Sequence, residues 1–181
     1  MSNFYIADTH FGHRNCVRFD DRPFRSIEEH DETLISNWNS VVQPRDDVFI
    51  LGDFAYKNEL PVSEYTKRLN GHLHLIRGNH DKRTEEYEKC FCTVEDIQIV
   101  GDVLDGENRQ IILCHYWMPF APRRDQLMLH GHTHTTDDYV NEELLKYELE
   151  QKGYPYNAYN VGCMHLNYFP KTIDQIVHPW K

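Results

Sequence analysis

Five short runs of β-favouring residues along the chain each end in a polar cluster that carries His, Asp or Asn. Phe4-Tyr5-Ile6-Ala7 leads into Asp8-Thr9-His10, Val48-Phe49-Ile50-Leu51 into Gly52-Asp53, and His72-Leu73-His74-Leu75-Ile76 into Arg77-Gly78-Asn79-His80-Asp81. Ile111-Ile112-Leu113-Cys114 leads into His115, and Leu127-Met128-Leu129 into His130-Gly131-His132-Thr133-His134. Such runs are apolar at consecutive rather than alternate positions, the pattern of strands covered on both faces. The reactive side chains then lie at the carboxyl ends of strands, the edge at which open α/β sheets bind ligands. Five separate segments thus deliver chemistry-bearing residues to one crevice.

Helical patterns lie between the strands. Ser26-Ile27-Glu28-Glu29 reads as a capping box, and Ile27, Leu34, Ile35, Trp38, Val41 and Val42 share one helical face, so a helix over 27–42 is expected, closed by Pro44. Pro61, Val62, Tyr65 and Leu69, ending at Asn70-Gly71, predict a second helix of about ten residues. Residues 82–89 predict a short third, and 141–152, with Leu144, Leu145 and Leu149 as apolar positions, a charged amphipathic helix. Further strands are expected over 93–100 and 172–177, with another near 160–163. No repeat or linker interrupts the alternation, so residues 1–181 are expected to form a single α/β domain.

Composition narrows the function. The 40% apolar and 13% aromatic content is enough to build one core. No apolar run approaches the roughly 18 residues of a membrane span, and no basic-then-apolar leader opens the chain. The five Cys (Cys16, Cys90, Cys92, Cys114, Cys163) are odd in number and form no paired CxxC blocks, which argues against a disulfide framework or zinc knuckle and for a reducing cytoplasm. A formal charge of −10 is a poor match for long nucleic acid. Twelve His in an Asp-rich chain suit divalent metals.

The clusters differ in specificity. Asp8-x-His10 can aim a carboxylate and an imidazole at one cation, but Asp and His are common in turns. Gly78 permits a tight turn that brings Asn79 and His80 to the strand edge. His132 and His134, two residues apart, face the same way on an extended segment. Together Asp8, His10, Asp53, Asn79, His115, His132 and His134 give seven ligands of mixed carboxylate, imidazole and amide type, a set that suits Mn, Fe, Zn or Ni. Seven exceed what one tetrahedral ion takes and suit two divalent ions that share a carboxylate about 3.5 to 4 Å apart. Manganese is the first choice.

The ordered series Asp8-x-His10, Gly52-Asp53, Gly78-Asn79-His80-Asp81, His115 and Gly131-His132-x-His134 closely resembles the calcineurin-like metallophosphoesterases, over residues 4–134 and on to Asn160-Val161-Gly162. The resemblance implies a metallo-dependent phosphatase fold, an αββα four-layer sandwich of two mixed sheets flanked by helices. It implies Asp8, His10 and His134 as ligands of one metal ion, Asn79, His115 and His132 as ligands of a second, and Asp53 as the bridge. His80 resembles the catalytic His that serves the leaving oxygen, and Asn79 and Asp53 would share in the reaction, hydrolysis of a monoester or diester of a small phosphorylated substrate.

One position departs from the pattern. Many members carry an Asp three residues after the bridging one, where it orients the catalytic His; here it is Tyr56, so Asp81 or a backbone carbonyl is expected to take over. His13 and Arg14 are candidate phosphate contacts. Phe11, Tyr56, Tyr116, Trp117, Phe120, Arg123 and Arg124 lie near motif ends, either as a pocket for an organic group or as core and rim. A nuclease and a non-catalytic metal-binding scaffold share the motifs; the short acidic chain and the filled ligand positions rank both lower. The His30-Asp31 and His80-Asp81 pairs of a helical HD phosphohydrolase rank lower still, since His30-Asp31 falls inside an ordinary amphipathic helix.

Overall fold

All five runs form strands in the computed structural model, which describes residues 1–118, 126–154 and 156–180. In chain order the elements are β1 (Asn3–Ile6), α1 (Cys16–Phe19), α2 (Ile27–Val41), β2 (Asp47–Ile50), α3 (Val62–Thr66), β3 (His72–Ile76) and α4 (Glu85–Glu88). There follow β4 (Thr93–Glu95), β5 (Ile97–Leu104), β6 (Glu107–Cys114), β7 (Gln126–His130), α5 (Asp137–Gln151), β8 (Ala158–Asn160) and α6 (Ile173–Val177). Two four-stranded sheets result, in the orders β1-β2-β3-β4 and β5-β6-β7-β8. The first is parallel throughout, with an antiparallel bridge from Tyr5 to Lys171. The second is mixed, because β5 and β6 form an antiparallel hairpin while β7 and β8 run parallel to β6.

The consecutive apolar positions have the expected cause. Phe4, Ile6, Val48, Ile50, Leu73 and Leu75 face a core that α2 supplies with Leu34, Ile35 and Trp38. Their neighbours Tyr5, Ala7, Phe49, Leu51 and Ile76 face Ile111, Leu113, Leu127 and Leu129 of the other sheet. Adjacent residues thus serve opposite faces, and both faces are buried. A parallel bridge from Ala7 to Gly162 joins the sheets just past the end of β1. No helix among the described residues is long and apolar enough to cross a membrane.

Several elements differ from the sequence reading. The strand expected over 93–100 is two strands in different sheets, divided at Asp96, whose carboxylate pairs with Arg77 and Arg83. Residues 172–177 form a helix, not a strand: Thr172 and Gln175 complete a capping box, and Ile173 and Ile176, one turn apart, are buried against the inter-sheet core. There the local cap outweighs the β-branched composition. Helix α3 is shorter than expected, α1 was not anticipated, and β6 begins at Glu107 because Asp105 and Gly106 adopt positive φ (52° and 81°) in a two-residue hairpin turn. In α5 the leucines do not form the buried face; Leu144 is exposed, and the buried side chain is Glu142.

Candidate metal centre

Strand ends alone do not bring the clusters together; tight backbone does. Asp8, His10, Asp53, His132 and His134 all hold left-handed φ, at 56°, 51°, 53°, 74° and 44°. For residues with a Cβ this costs about 1–2 kcal/mol each, so the surrounding packing must enforce it. Two glycines allow the loops to touch. A Cβ on Gly78 would collide with the Asp53 side chain, and one on Gly131 would stand 2.5 Å from Asp8 Oδ2.

Two sets of ligand atoms meet as a result. One atom each from Asp8, His10, Asp53 and His134 lies within 4.8 Å of the others, and all four residues are buried. His134 Nε2 is 3.4 Å from Asp8 Oδ1 and 3.3 Å from His10 Nε2. On the other side His115 Nε2 lies 3.1 Å from Asn79 Oδ1 and 3.2 Å from His132 Nδ1. Asp53 Oδ2 lies between the sets, 3.6 Å from His10 Nε2 and 3.7 Å from His115 Nε2.

The hydrogen bonds on the far side of the rings decide what this geometry holds. His115 Nδ1 donates to the Leu51 carbonyl at 2.8 Å, and His134 Nδ1 donates to Asp20 at 2.8 Å. With Nδ1 of each ring donating in this way, Nε2 is the atom left to turn a lone pair toward a cation among the neighbouring carboxylate and amide oxygens. Converging acceptors in a dry site repel unless a cation lies among them. The residues fit divalent ions.

The titration shifts agree. Burial pushes the Asp53 carboxyl up to about 7, with Asp8 adding to the rise against His115. Asp8 goes the other way: burial would raise it, but His134, hydrogen-bonded to it, holds it far below the usual carboxylate range. Burial would lower His134, yet its bonds to Asp20 and Asp8 bring it up to about 9. Without an ion, protons on Asp53 and His134 take the place of the missing positive charge.

A buried polar layer supports the ligands, and most of it escaped the sequence reading. The Arg22 guanidinium is wholly buried; it donates to Asp20 Oδ2 (2.8 and 2.9 Å), to the carbonyls of Asp8 (2.9 Å) and Thr9 (3.3 Å), and to His30 Nε2 (2.9 Å). His30 Nδ1 donates in turn to Asp31 at 2.8 Å, and Asp31 accepts from the Gly12 amide at 3.0 Å. His30 and Asp31 are thus not part of an ordinary amphipathic face but the outer end of a chain that leads to His134. On the second sheet, His130 Nε2 lies 3.0 Å from Glu142 Oε1, and Glu142 also accepts from Thr133 at 2.8 Å, which anchors α5 to the His132–His134 loop.

Asp81 does not take over from the missing Asp. Its oxygens accept from the amides of Asp53 (2.8 Å), Phe54 (3.0 Å) and Gly78 (2.8 Å) and from the Tyr87 hydroxyl, so it braces the loops rather than His80. His80 instead lies against the Tyr56 ring, with centroids 3.9 Å apart, and its Nε2 is 3.9 Å from Asp53 Oδ2. His13 is buried beside His10, Tyr56 and His80. Arg14 is exposed and paired with Glu59 (3.1 Å) and Glu28 (3.3 Å). Phe11 is core, Trp117 packs near His130 and Tyr156, and Tyr116 stands half-exposed beside His115 and His132. Phe120, Arg123 and Arg124 lie outside the described residues.

Comparison with known proteins agrees with this geometry. Residues 1–165 match the model of the calcineurin-like phosphoesterase superfamily domain. The chain is 32% identical to an uncharacterised protein, MJ1445, of Methanocaldococcus jannaschii, over 96% of this chain and 88% of that one. It is 29% identical to the Gene 66 protein of Mycobacterium phage L5, over 75% of this chain and 79% of the relative. The crystal structure of AQ665 from Aquifex aeolicus, a protein of unknown function, superposes with a TM-score of 0.67 at 24% identity over 93% of each chain, a likeness of fold. With Asp8, His10, Asp53 and His134 of its motifs gathered at the strand ends, the chain belongs to the calcineurin-like phosphoesterase superfamily.

Proposed function

We propose that the protein hydrolyses phosphoesters of small phosphorylated compounds with two divalent ions, manganese first among them: one on Asp8, His10 and His134, the other on Asn79, His115 and His132, with Asp53 shared. The observation that carries this reading is the position of Asp53 Oδ2, 3.6 and 3.7 Å from the nearest imidazole nitrogen of each set. When bound, two such ions would supply Lewis acidity toward the phosphoryl oxygens and lower the pKa of a nearby water. The side chains do the rest. Asn79, exposed at the edge of the site, can turn its amide N–H to a phosphoryl oxygen while Oδ1 serves the ion. His80, partly exposed beside Asp53, offers an imidazole N–H to the leaving oxygen. His13, lowered to about 4 by burial, is neutral and contacts phosphate by hydrogen bond. Arg14 reaches phosphate only by giving up Glu28 and Glu59.

The ions also answer the charge problem, since two divalent cations make the crevice attractive to phosphate within a chain of charge −10. That net charge disfavours long nucleic acid, and the five free cysteines suit a reducing compartment, so we place the protein in the cytoplasm. The test is turnover of bis(p-nitrophenyl) phosphate and p-nitrophenyl phosphate by chelator-stripped protein titrated with Mn, Ni, Zn and Mg. Ion-dependent turnover is expected, and the ratio of the two rates assigns diester or monoester preference. Absence of turnover with every ion, at two bound ions per chain, would overturn the reading.

A further inference from the structure

Both ligand sets carry a half-exposed aromatic ring on one flank. Phe19, 50% exposed, lies 5.7 Å from His134 and 6.4 Å from His10, centroid to centroid. Tyr116, 46% exposed, lies 4.9 Å from His132 and 5.0 Å from His115. Of the other large apolar side chains left comparably open among the described residues, Ile97, Ile99 and Val103 sit on β5 and Val140, Leu144 and Tyr147 on α5. A ring left half in water forgoes much of the stabilisation that burial gives it. Here two do so at the mouth of one site, one beside each set.

The chain beside each ring is held in place. Phe19 ends α1, between buried Cys16 and buried Asp20, which Arg22 grips with two hydrogen bonds. Tyr116 directly follows His115, which is tied to the Leu51 carbonyl. A fixed neighbouring backbone limits the entropy that contact with a ligand would cost these rings. A phosphoryl group over Asp53 and His80 would extend its organic arms outward, toward Phe19 on one side and Tyr116 on the other.

We propose that Phe19 and Tyr116 are stacking faces that select phosphoesters whose organic arm carries a planar aromatic ring, whether a nucleobase or a simple aryl group. The assignment rests on the phosphoester reading above. Stacking of one ring on an aromatic side chain is worth about tenfold or more in affinity.

Phosphonates test it without turnover, because a P–C bond replaces the scissile ester. Calorimetry on ion-loaded protein would compare inorganic phosphate, methylphosphonate, phenylphosphonate and the 5′-phosphonate analogue of adenosine monophosphate. Wild-type protein should bind the two aromatic phosphonates about tenfold tighter than methylphosphonate. Phe19→Ala/Tyr116→Ala should abolish that preference and leave methylphosphonate binding unchanged. A tighter adenosine analogue would point to a nucleobase, and equal affinities to a plain aryl group; either supports the proposal. Equal binding of aromatic and methyl phosphonates to wild type, or a preference that survives the double substitution, would overturn it. Failure of phosphate and every phosphonate to bind would overturn the phosphoester reading itself.

Discussion

Tyr56 covers the ring of His80 at a centroid distance of 3.9 Å, the place where a carboxylate was expected to hold that imidazole. A ring face fixes orientation without charge, so His80 is positioned by packing, and burial lowers its pKa despite nearby Asp81. Tyr56→Ala should lower kcat about tenfold through misplacement of His80. Tyr56→Phe, which keeps the ring, should retain the rate. Steady-state kinetics at fixed ion content would decide; equal rates in the alanine variant and the wild type would remove the stack from the mechanism.

Asp53 and His80 should separate binding from chemistry. Asp53→Asn removes the charge shared by both sets and should reduce bound metal and turnover together. His80→Ala should keep its metal while kcat falls about 10²-fold or more, as for loss of a general acid. Elemental analysis beside single-turnover rates distinguishes the two, and an undiminished rate in the His80 variant would exclude it from proton donation.

The buried Arg22–Asp20 pair should matter for both stability and the metal. Arg22→Gln leaves Asp20 uncompensated and strips donors from the Asp8 and Thr9 carbonyls, a loss of about 3–5 kcal/mol. Asp20→Asn should weaken binding of one ion about 10- to 100-fold through His134 and leave the other unaffected. Thermal melts and ion titrations would show it; two equally weakened sites would mean that Asp20 supports the whole fold rather than His134.

Ion-free protein should be most stable near the ordinary histidine pKa. His10, His13 and His30 are held neutral chiefly by burial, below the usual 6.5 and to about 4 for His13. The unfolded chain takes up those protons first, so stability rises with pH up to 6.5. His134 does the reverse: raised to about 9, it holds a proton in the folded state alone between 6.5 and 9, and stability falls across that window. Asp53, raised to about 7, offsets part of the rise and adds to the start of the decline. Ions that replace these protons should remove the alkaline limb. Melting curves with and without chelator, over pH 4 to 9, would reveal a persistent limb if the shifts are misassigned.

The five strands that end in polar clusters were legible because consecutive apolar positions are a local signal, whereas the change of sheet at Asp96, between β4 and β5, was not. Nor was the supporting layer. Asp20 and Arg22 are buried, yet nothing periodic in the sequence around them marks them as such. Glu142 was hidden in a helix whose leucines offered a more obvious face. For α6 the signal was present, in Thr172 and Gln175, but four β-favouring residues from 172 to 177 outweighed it.

The left-handed backbone at five of the seven candidate ligands has a consequence for the stability of the whole domain. Each position costs about 1–2 kcal/mol, a large sum beside the roughly 5–15 kcal/mol that keeps a domain folded. Glycine would adopt the same turns without strain. In a chain with no task beyond folding, replacement of any of the five by glycine would relieve that strain. Five strained Asp and His residues at one crevice are therefore a standing cost to the stability of the fold, which the packing around them has to offset.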